Sequence, residues 1–102
     1  KFTIEIDDSL LGIDVKASVG INRDPKFKEQ IYQSLMEIPD VVSISEVTGR
    51  FDMIVRIYAQ DLEALHTAVI QKIGKIEGIQ NTETFVELQK TNKEPAYINK
   101  SK

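Results

Sequence analysis

The chain predicts an α+β fold: a ferredoxin-like βαββαβ sandwich, with an antiparallel four-stranded sheet and two helices on one face, preceded by a short linker strand. Three observations predict it. Apolar and polar residues alternate from Asp14 to Ile21, the period of a half-buried strand. Two later segments carry apolar residues at helical spacing. Strand-like runs joined by short links flank both, in the order strand, helix, strand, strand, helix, strand.

Phe2-Thr3-Ile4-Glu5-Ile6 alternates as a short strand, and Asp7-Asp8-Ser9 breaks it. In the next strand Val15, Ala17, Val19 and Ile21 share one face, and Lys16, Ser18 and Gly20 the other. Asp24 caps the first helix and Pro25 takes its first position, where a missing N–H does no harm. Phe27, Ile31, Leu35 and Ile38 form its apolar stripe, and Pro39 stops it. Val41 to Thr48 reads as the second strand, Gly49-Arg50 as a turn, and Phe51 to Ala59 as the third strand. Asp61 caps the second helix, whose stripe is Leu62, Leu65, Val69, Ile73 and Ile76. Lys72 and Lys75 in its last turn suit the helix dipole, and Gly78 is placed to end it. Ile79 to Leu88 is the fourth strand; beyond Lys90 the chain is polar, and Ala96 to Asn99 could add a short strand.

At 102 residues the chain is one domain or a piece of one, and 41% apolar composition suffices for a core. It has no Cys, which excludes disulfides and Cys-based zinc sites and points to the cell interior. No apolar run approaches a membrane span, and the start does not resemble a signal peptide. The net charge of −3 argues against this chain gripping nucleic acid by itself. Lys1 in place of Met leads us to expect a processed or truncated product.

The third strand is apolar on both faces. Phe51, Met53, Val55 and Ile57 point one way, and Ile54 and Tyr58 the other, with Asp52 and Arg56. In the second strand Val41 and Val47 share one face, with Val42 and Ile44 opposite. Helices cover only one face, so the other is an apolar patch unusual for a monomer. At about 25 cal/mol per Å², burying several hundred Å² per partner favours association by several kcal/mol before entropic costs. Two sheets are therefore expected to stack into a homodimer; the alternative is that Phe2, Ile4 and the tail cover that face.

Catalytic signals are weak. His66, the one histidine, flanks the apolar stripe of the second helix and faces neither carboxylate nor nucleophile. No metal-ligand spacing, phosphate loop or nucleophile elbow is present, so no cofactor or metal is expected. Asp7-Asp8, Glu83 and Glu87 read as solvated charge, and Lys72, Lys75, Lys90 and Lys93 are too scattered for a nucleic-acid stripe. The polar groups able to converge are Gly49, Arg50 and Asp52 at the turn, with Thr82 and Thr84 on the last strand. An aspartate pairs with an amino acid's ammonium, and N–H groups and hydroxyls receive its carboxylate. The plain alternative is a hairpin whose Gly49 supplies a positive φ, whose Asp52 bonds its own turn and whose threonines are ordinary strand residues.

Val47-Thr48-Gly49-Arg50-Phe51-Asp52, Asp61-Leu62-Glu63-Ala64-Leu65, and Ile76-Glu77-Gly78-Ile79 with Thr82-Glu83-Thr84 resemble the C-terminal effector-binding domain of the leucine-responsive regulatory protein (Lrp/AsnC) family. The resemblance covers almost the whole chain. It implies residues 1–10 as a linker strand from a missing N-terminal DNA-binding domain, with Leu10-Leu11-Gly12 as the entry; the other possibility the resemblance leaves is a stand-alone effector domain of the kind some archaea encode. Residues 11–90 become the effector-binding and oligomerisation domain, and 91–102 a tail. It implies a cytoplasmic transcription regulator that dimerises through its sheets, assembles into tetramers of dimers, and binds an amino acid or related metabolite between dimers. DNA is reached only through the absent helix-turn-helix. Carried over, the effector contacts are Gly49, Arg50, Phe51 and Asp52, with Asp52 on the ammonium, and Thr82, Thr84 and Phe85 in second rank. Arg50 stands at a variable position of that motif. Two rivals are a regulatory module serving a metabolic enzyme and a small dimeric ferredoxin-like enzyme.

Overall fold

Alternation along a strand and capped helical stripes give, in the computed structural model, a four-stranded antiparallel sheet in the order β2-β3-β1-β4. The structure describes residues 15–93. The expected strands at Phe2 to Ile6 and Ala96 to Asn99, the Asp7-Asp8-Ser9 break and the Leu10-Leu11-Gly12 entry lie outside the described residues. The elements are β1 (Val15–Arg23), α1 (Lys28–Met36), β2 (Val41–Glu46), β3 (Met53–Ala59), α2 (Leu62–Thr67) and β4 (Ile79–Val86).

β1 is central because it alternates cleanly. Ala17, Val19 and Ile21 are fully buried under the helices, and Val19 pairs with Val55 on one side and Thr84 on the other. Met53, Val55 and Ile57 of β3 extend the same buried face, and Ile31 and Leu35 of α1 close on it. Burying side chains of this size contributes about 1.5–3 kcal/mol each. The Asp24 carboxylate accepts the Lys26 N–H at 3.0 Å, and Pro25–Phe27 forms a single 3-10 turn leading into α1.

Asp61 caps α2 by accepting the Ala64 N–H at 2.7 Å. From Ala68 to Ile73 the helix widens into a π segment, closed by the Gly74 N–H donating to the Val69 carbonyl at 2.8 Å. Leu65, Ala68, Val69 and Ile73 are buried. Leu62, expected in the stripe, is 62% exposed. The helix ends at Gly74, so Lys75 lies beyond the last turn, while Lys72 ties α2 to Asp40 at 2.8 Å. Gly78 instead shapes the entry to β4, at φ 98°. A Cβ there would overlap the Phe27 side chain, and its carbonyl accepts the Asp24 N–H at 2.8 Å.

Two expectations about faces are corrected. In β2, Val41 pairs with Ile57 and Ser43 with Arg56, so Val42 is an extra, bulged residue. The bulge turns both Val41 and Ile44 toward the core and leaves Val42 49% exposed. Phe51 does not continue the Met53 face. The chain bends at Asp52, and the Phe51 ring lies over Gly20 on the opposite face, 2.6 Å from where a Cβ would stand. The uncovered face is therefore mixed. Ile54, Tyr58, Phe51 and Phe85 share it with Ser18, Ser43, Ser45 and Arg56. Arg56 bonds Ser18 at 3.1 Å and Glu87 at 3.0 Å, so Glu87 is paired rather than simply solvated.

Candidate ligand-binding site

The link between β2 and β3 is built around Asp52. Its carbonyl accepts the Val47 N–H at 3.1 Å, closing the loop, and its own N–H donates to Ile21 at 2.9 Å. Its Oδ2 accepts the Arg23 N–H at 2.9 Å, so the carboxylate fastens the turn to β1 rather than bonding its own turn. Oδ1 takes no hydrogen bond from the described residues, yet it is not sealed from solvent. Half-buried, with one oxygen anchored and the other open, the carboxylate is poised to accept from a cation.

Gly49 supplies the positive φ, 123°, with no atom within 4 Å of where its Cβ would stand. A molecule can approach that main chain closely. The Arg50 carbonyl accepts from the Asn22 side chain at 2.9 Å, and Asn81 donates to Asn22 at 3.3 Å. Arg50 itself reaches Glu83 at 3.1 Å and stacks over Phe51 at 5.5 Å, so Glu83 too is paired. With Arg50 78% exposed, that ion pair adds little stability. Phe51 meets Phe85 edge to face, ring centres 6.1 Å apart. The turn thus brings Arg50, Phe51 and Phe85 together at one end of the uncovered face, with Asp52 fastened to the end of β1 and Gly49 at the tip with no neighbour within 4 Å of a Cβ.

Thr82 and Thr84 are not with them. They pair with Ile21 and Val19, and so share the helix-bearing face of the sheet. There they line a cleft of about 400 Å³ between α2 and β4. Leu62, Leu65, Val69 and Ile70 form its other wall, and His66 lies on the rim. The seven expected contacts therefore divide between the two faces of a single-layer sheet.

Sequence reasoning missed the anchors Asn22 and Arg23 and the cleft wall of Leu62 and Ile70. One signal was available: Thr-x-Thr on a strand face that a helix should cover leaves hydroxyls where aliphatic residues belong. A smaller hollow of about 250 Å³ between α1 and β2 is lined by Lys28, Glu29, Tyr32, Glu46 and Met53. Behind it, Arg23 approaches Glu46 at 3.7 Å, and its Nη1 is buried without a partner. Among the described residues, no three His, Cys, Asp or Glu side chains cluster as a metal site, and no helix is long and apolar enough to cross a membrane.

A one-sided α+β sandwich with a turn-borne carboxylate and an apolar cleft is the architecture of a small ligand-binding domain. Residues 16–97 match the model of the Lrp/AsnC ligand binding domain, and the chain belongs to that family of transcription-regulator domains. The HTH-type transcriptional regulator FL11 of Pyrococcus horikoshii is 33% identical over 94 residues, 92% of this chain and 61% of that protein. The structure of E. coli AsnC superposes with a TM-score of 0.83 at 26% identity, covering 93% of this chain and 64% of that one. A Neisseria meningitidis transcriptional regulator, crystallised as its L-Met complex, has the same fold, with a TM-score of 0.83 at 16% identity over 91% of this chain and 62% of its own. The chain spans little more than half the length of the curated relatives it matches, 54 to 61%.

Proposed function

We propose that this chain is the amino-acid-sensing and oligomerising part of a cytoplasmic transcription regulator, and that it performs no catalysis. The observation that carries this reading is the Asp52 carboxylate. One oxygen is fixed by the Arg23 N–H and the other takes no hydrogen bond from the described residues, in a turn where the main chain of Gly49 is unobstructed. An ammonium group is the natural partner of such a carboxylate, and a charge-assisted bond to it is short and strong. Gly49, Arg50 and Phe51 shape the approach. Family membership supports the reading, as does the L-Met bound by the Neisseria meningitidis regulator of the same fold.

The division of the expected contacts adds a constraint. A ligand held by Asp52 on one side of the sheet does not reach Thr82 and Thr84 of the same chain through it. If both groups contact one effector, they come from different copies, and binding then reports on how copies are joined. The mixed uncovered face, with Ile54, Tyr58, Phe51 and Phe85 around the Arg56–Glu87 pair, is the surface on which two sheets stack. The effector shifts the assembly only by its differential affinity for the joined states, and DNA is reached through a segment outside this domain.

Calorimetric titration of L-Met and the other amino acids, with light scattering on the same samples, tests this. Saturable binding by an assembly of at least two copies is expected. Asp52→Ala weakens binding at least tenfold and leaves the mass unchanged. An unchanged affinity removes Asp52 from the site, and a monomer at tens of micromolar removes the stacked sheets.

A further inference from the structure

Three successive residues at the end of β1 each hold a different group of the turn. The Ile21 carbonyl accepts the Asp52 N–H at 2.9 Å. The Asn22 side-chain amide donates to the Arg50 carbonyl at 2.9 Å. The Arg23 N–H donates to the Asp52 carboxylate at 2.9 Å. The Arg23 side chain also approaches Glu46 at 3.7 Å, next to Val47, whose N–H closes the loop on the Asp52 carbonyl. Both ends of the turn are thus tied to one short stretch of β1. That stretch sets the direction of the carboxylate, and a site fixed before its ligand arrives loses less freedom on binding.

The pairing beside this stretch is irregular. Asn22 pairs with Asn81 and Arg23 with Ile79, so Gln80 is an extra residue on β4. Bulges re-aim the side chains around them. Here Asn81 stands opposite Asn22, and its side-chain amide donates to the Asn22 oxygen at 3.3 Å. The direction of these bonds matters. A carbonyl only accepts, so Asn22 holds Arg50 only with its NH2 toward the turn and its oxygen toward β4. Asn81, by offering its own NH2 to that oxygen, favours this orientation over the reverse.

From this run of amides we infer that Asn22 is a positioning residue of the sensing site. It aims the Asp52 carboxylate through the Arg50 main chain, and Asn81 fixes the orientation in which it does so. This rests on the reading of Asp52 as the ammonium site. Both asparagines act through the turn. Because Asn81 lies on β4, the aim of the carboxylate is tied to the strand that carries Thr82 and Thr84.

The test is calorimetric titration of the full chain with the standard L-amino acids, singly. The tightest binder is then titrated into Asn22→Ala, Asn81→Asp, Asn81→Ala and Asp52→Ala. Asn22 and Asn81 lie outside the buried core, so these variants are expected to fold, which circular dichroism verifies. Asn22→Ala weakens binding about fivefold, the scale of one hydrogen bond. Asn81→Asp keeps the shape of the side chain but has no donor at neutral pH. Its carboxylate turns the Asn22 amide over, sets oxygen against the Arg50 carbonyl, and weakens binding as much as Asn22→Ala does. Asn81→Ala leaves Asn22 free to face Arg50 and stays within about twofold. A bond that only braced two strands would not rank Asn81→Asp below Asn81→Ala. Two results overturn the inference and, where Asp52→Ala still abolishes binding, leave the Asp52 reading intact. One is Asn81→Asp binding no more weakly than Asn81→Ala; the other is Asn22→Ala binding as tightly as the unaltered chain. Binding indifferent to Asp52→Ala, or no binding of any amino acid, overturns that reading and the inference with it.

Discussion

The two βαβ halves of this domain share an order of elements but not a finish. In the first half, α1 lays Ile31 and Leu35 onto the sheet, and the outer strand β2 answers with Val41 and Ile44, so the layer closes except for the smaller hollow of about 250 Å³. In the second half, α2 meets an outer strand that answers with Thr82 and Thr84, and the layer stays open as the α2–β4 cleft. The lesson is that a helix covers an outer strand only as far as that strand offers apolar surface. Hydroxyls keep their water, and the helix residues opposite them, Leu62 and Ile70, stay exposed. One half is largely packed and the other keeps an open cleft.

Leucine deletions give the sharpest contrast. Leu35→Ala in the closed half is expected to destabilise by about 2–5 kcal/mol in urea unfolding, since it empties a fully buried site. Leu62→Ala in the open half is expected to stay within about 0.5 kcal/mol while lowering affinity for L-Leu or L-Met. Equal costs would erase the contrast. At the turn, Gly49→Ala should cost about 1 kcal/mol or more through φ alone, because its Cβ would meet no neighbour. A neutral outcome there means the turn relaxes freely. The cap of the open half, Asp61→Ala, should cost about 1 kcal/mol, read from the same unfolding curves. The smallest effect on stability belongs to Thr84→Val. It replaces a hydroxyl with a methyl at the cleft, leaves the unfolding midpoint nearly unchanged, and makes β4 resemble β2. If affinity for L-Met is also unchanged, the threonine wall has no part in binding.

Much of the fold was legible because it rests on short-range patterns. The β1 alternation and the cap at Asp61 are each decided within a few residues and appear as read, while Asp24 caps a 3-10 turn ahead of α1 and only Ile31 and Leu35 of the expected stripe lie within that helix. Legibility failed where one residue changes the phase. The bulge at Val42 adds a residue to β2, which inverts the faces of everything beyond it, and no local composition marks it. The π segment after Thr67 was equally unmarked in the sequence, although Leu65, Val69 and Ile73 of the expected stripe are buried. Phe51 left the β3 pattern, and its ring lies over Gly20 on a neighbouring strand, where no side chain stands in its way. The turn residues of the candidate site were visible as a motif. Their separation from Thr82 and Thr84 was not, since which face a strand residue takes depends on pairing with β1.

A mixing experiment tests most directly whether the sensing site is shared between copies. Asp52→Ala and Ile70→Lys chains, each expected alone to bind L-Met at least tenfold more weakly than the unaltered chain, are unfolded and refolded together and titrated by calorimetry. The account predicts that the mixture recovers L-Met binding at about a quarter of its sites, where an intact turn from one copy meets an intact cleft from another. A verified mixed assembly that binds no L-Met would contradict it, since turn and cleft would then have to come from the same chain.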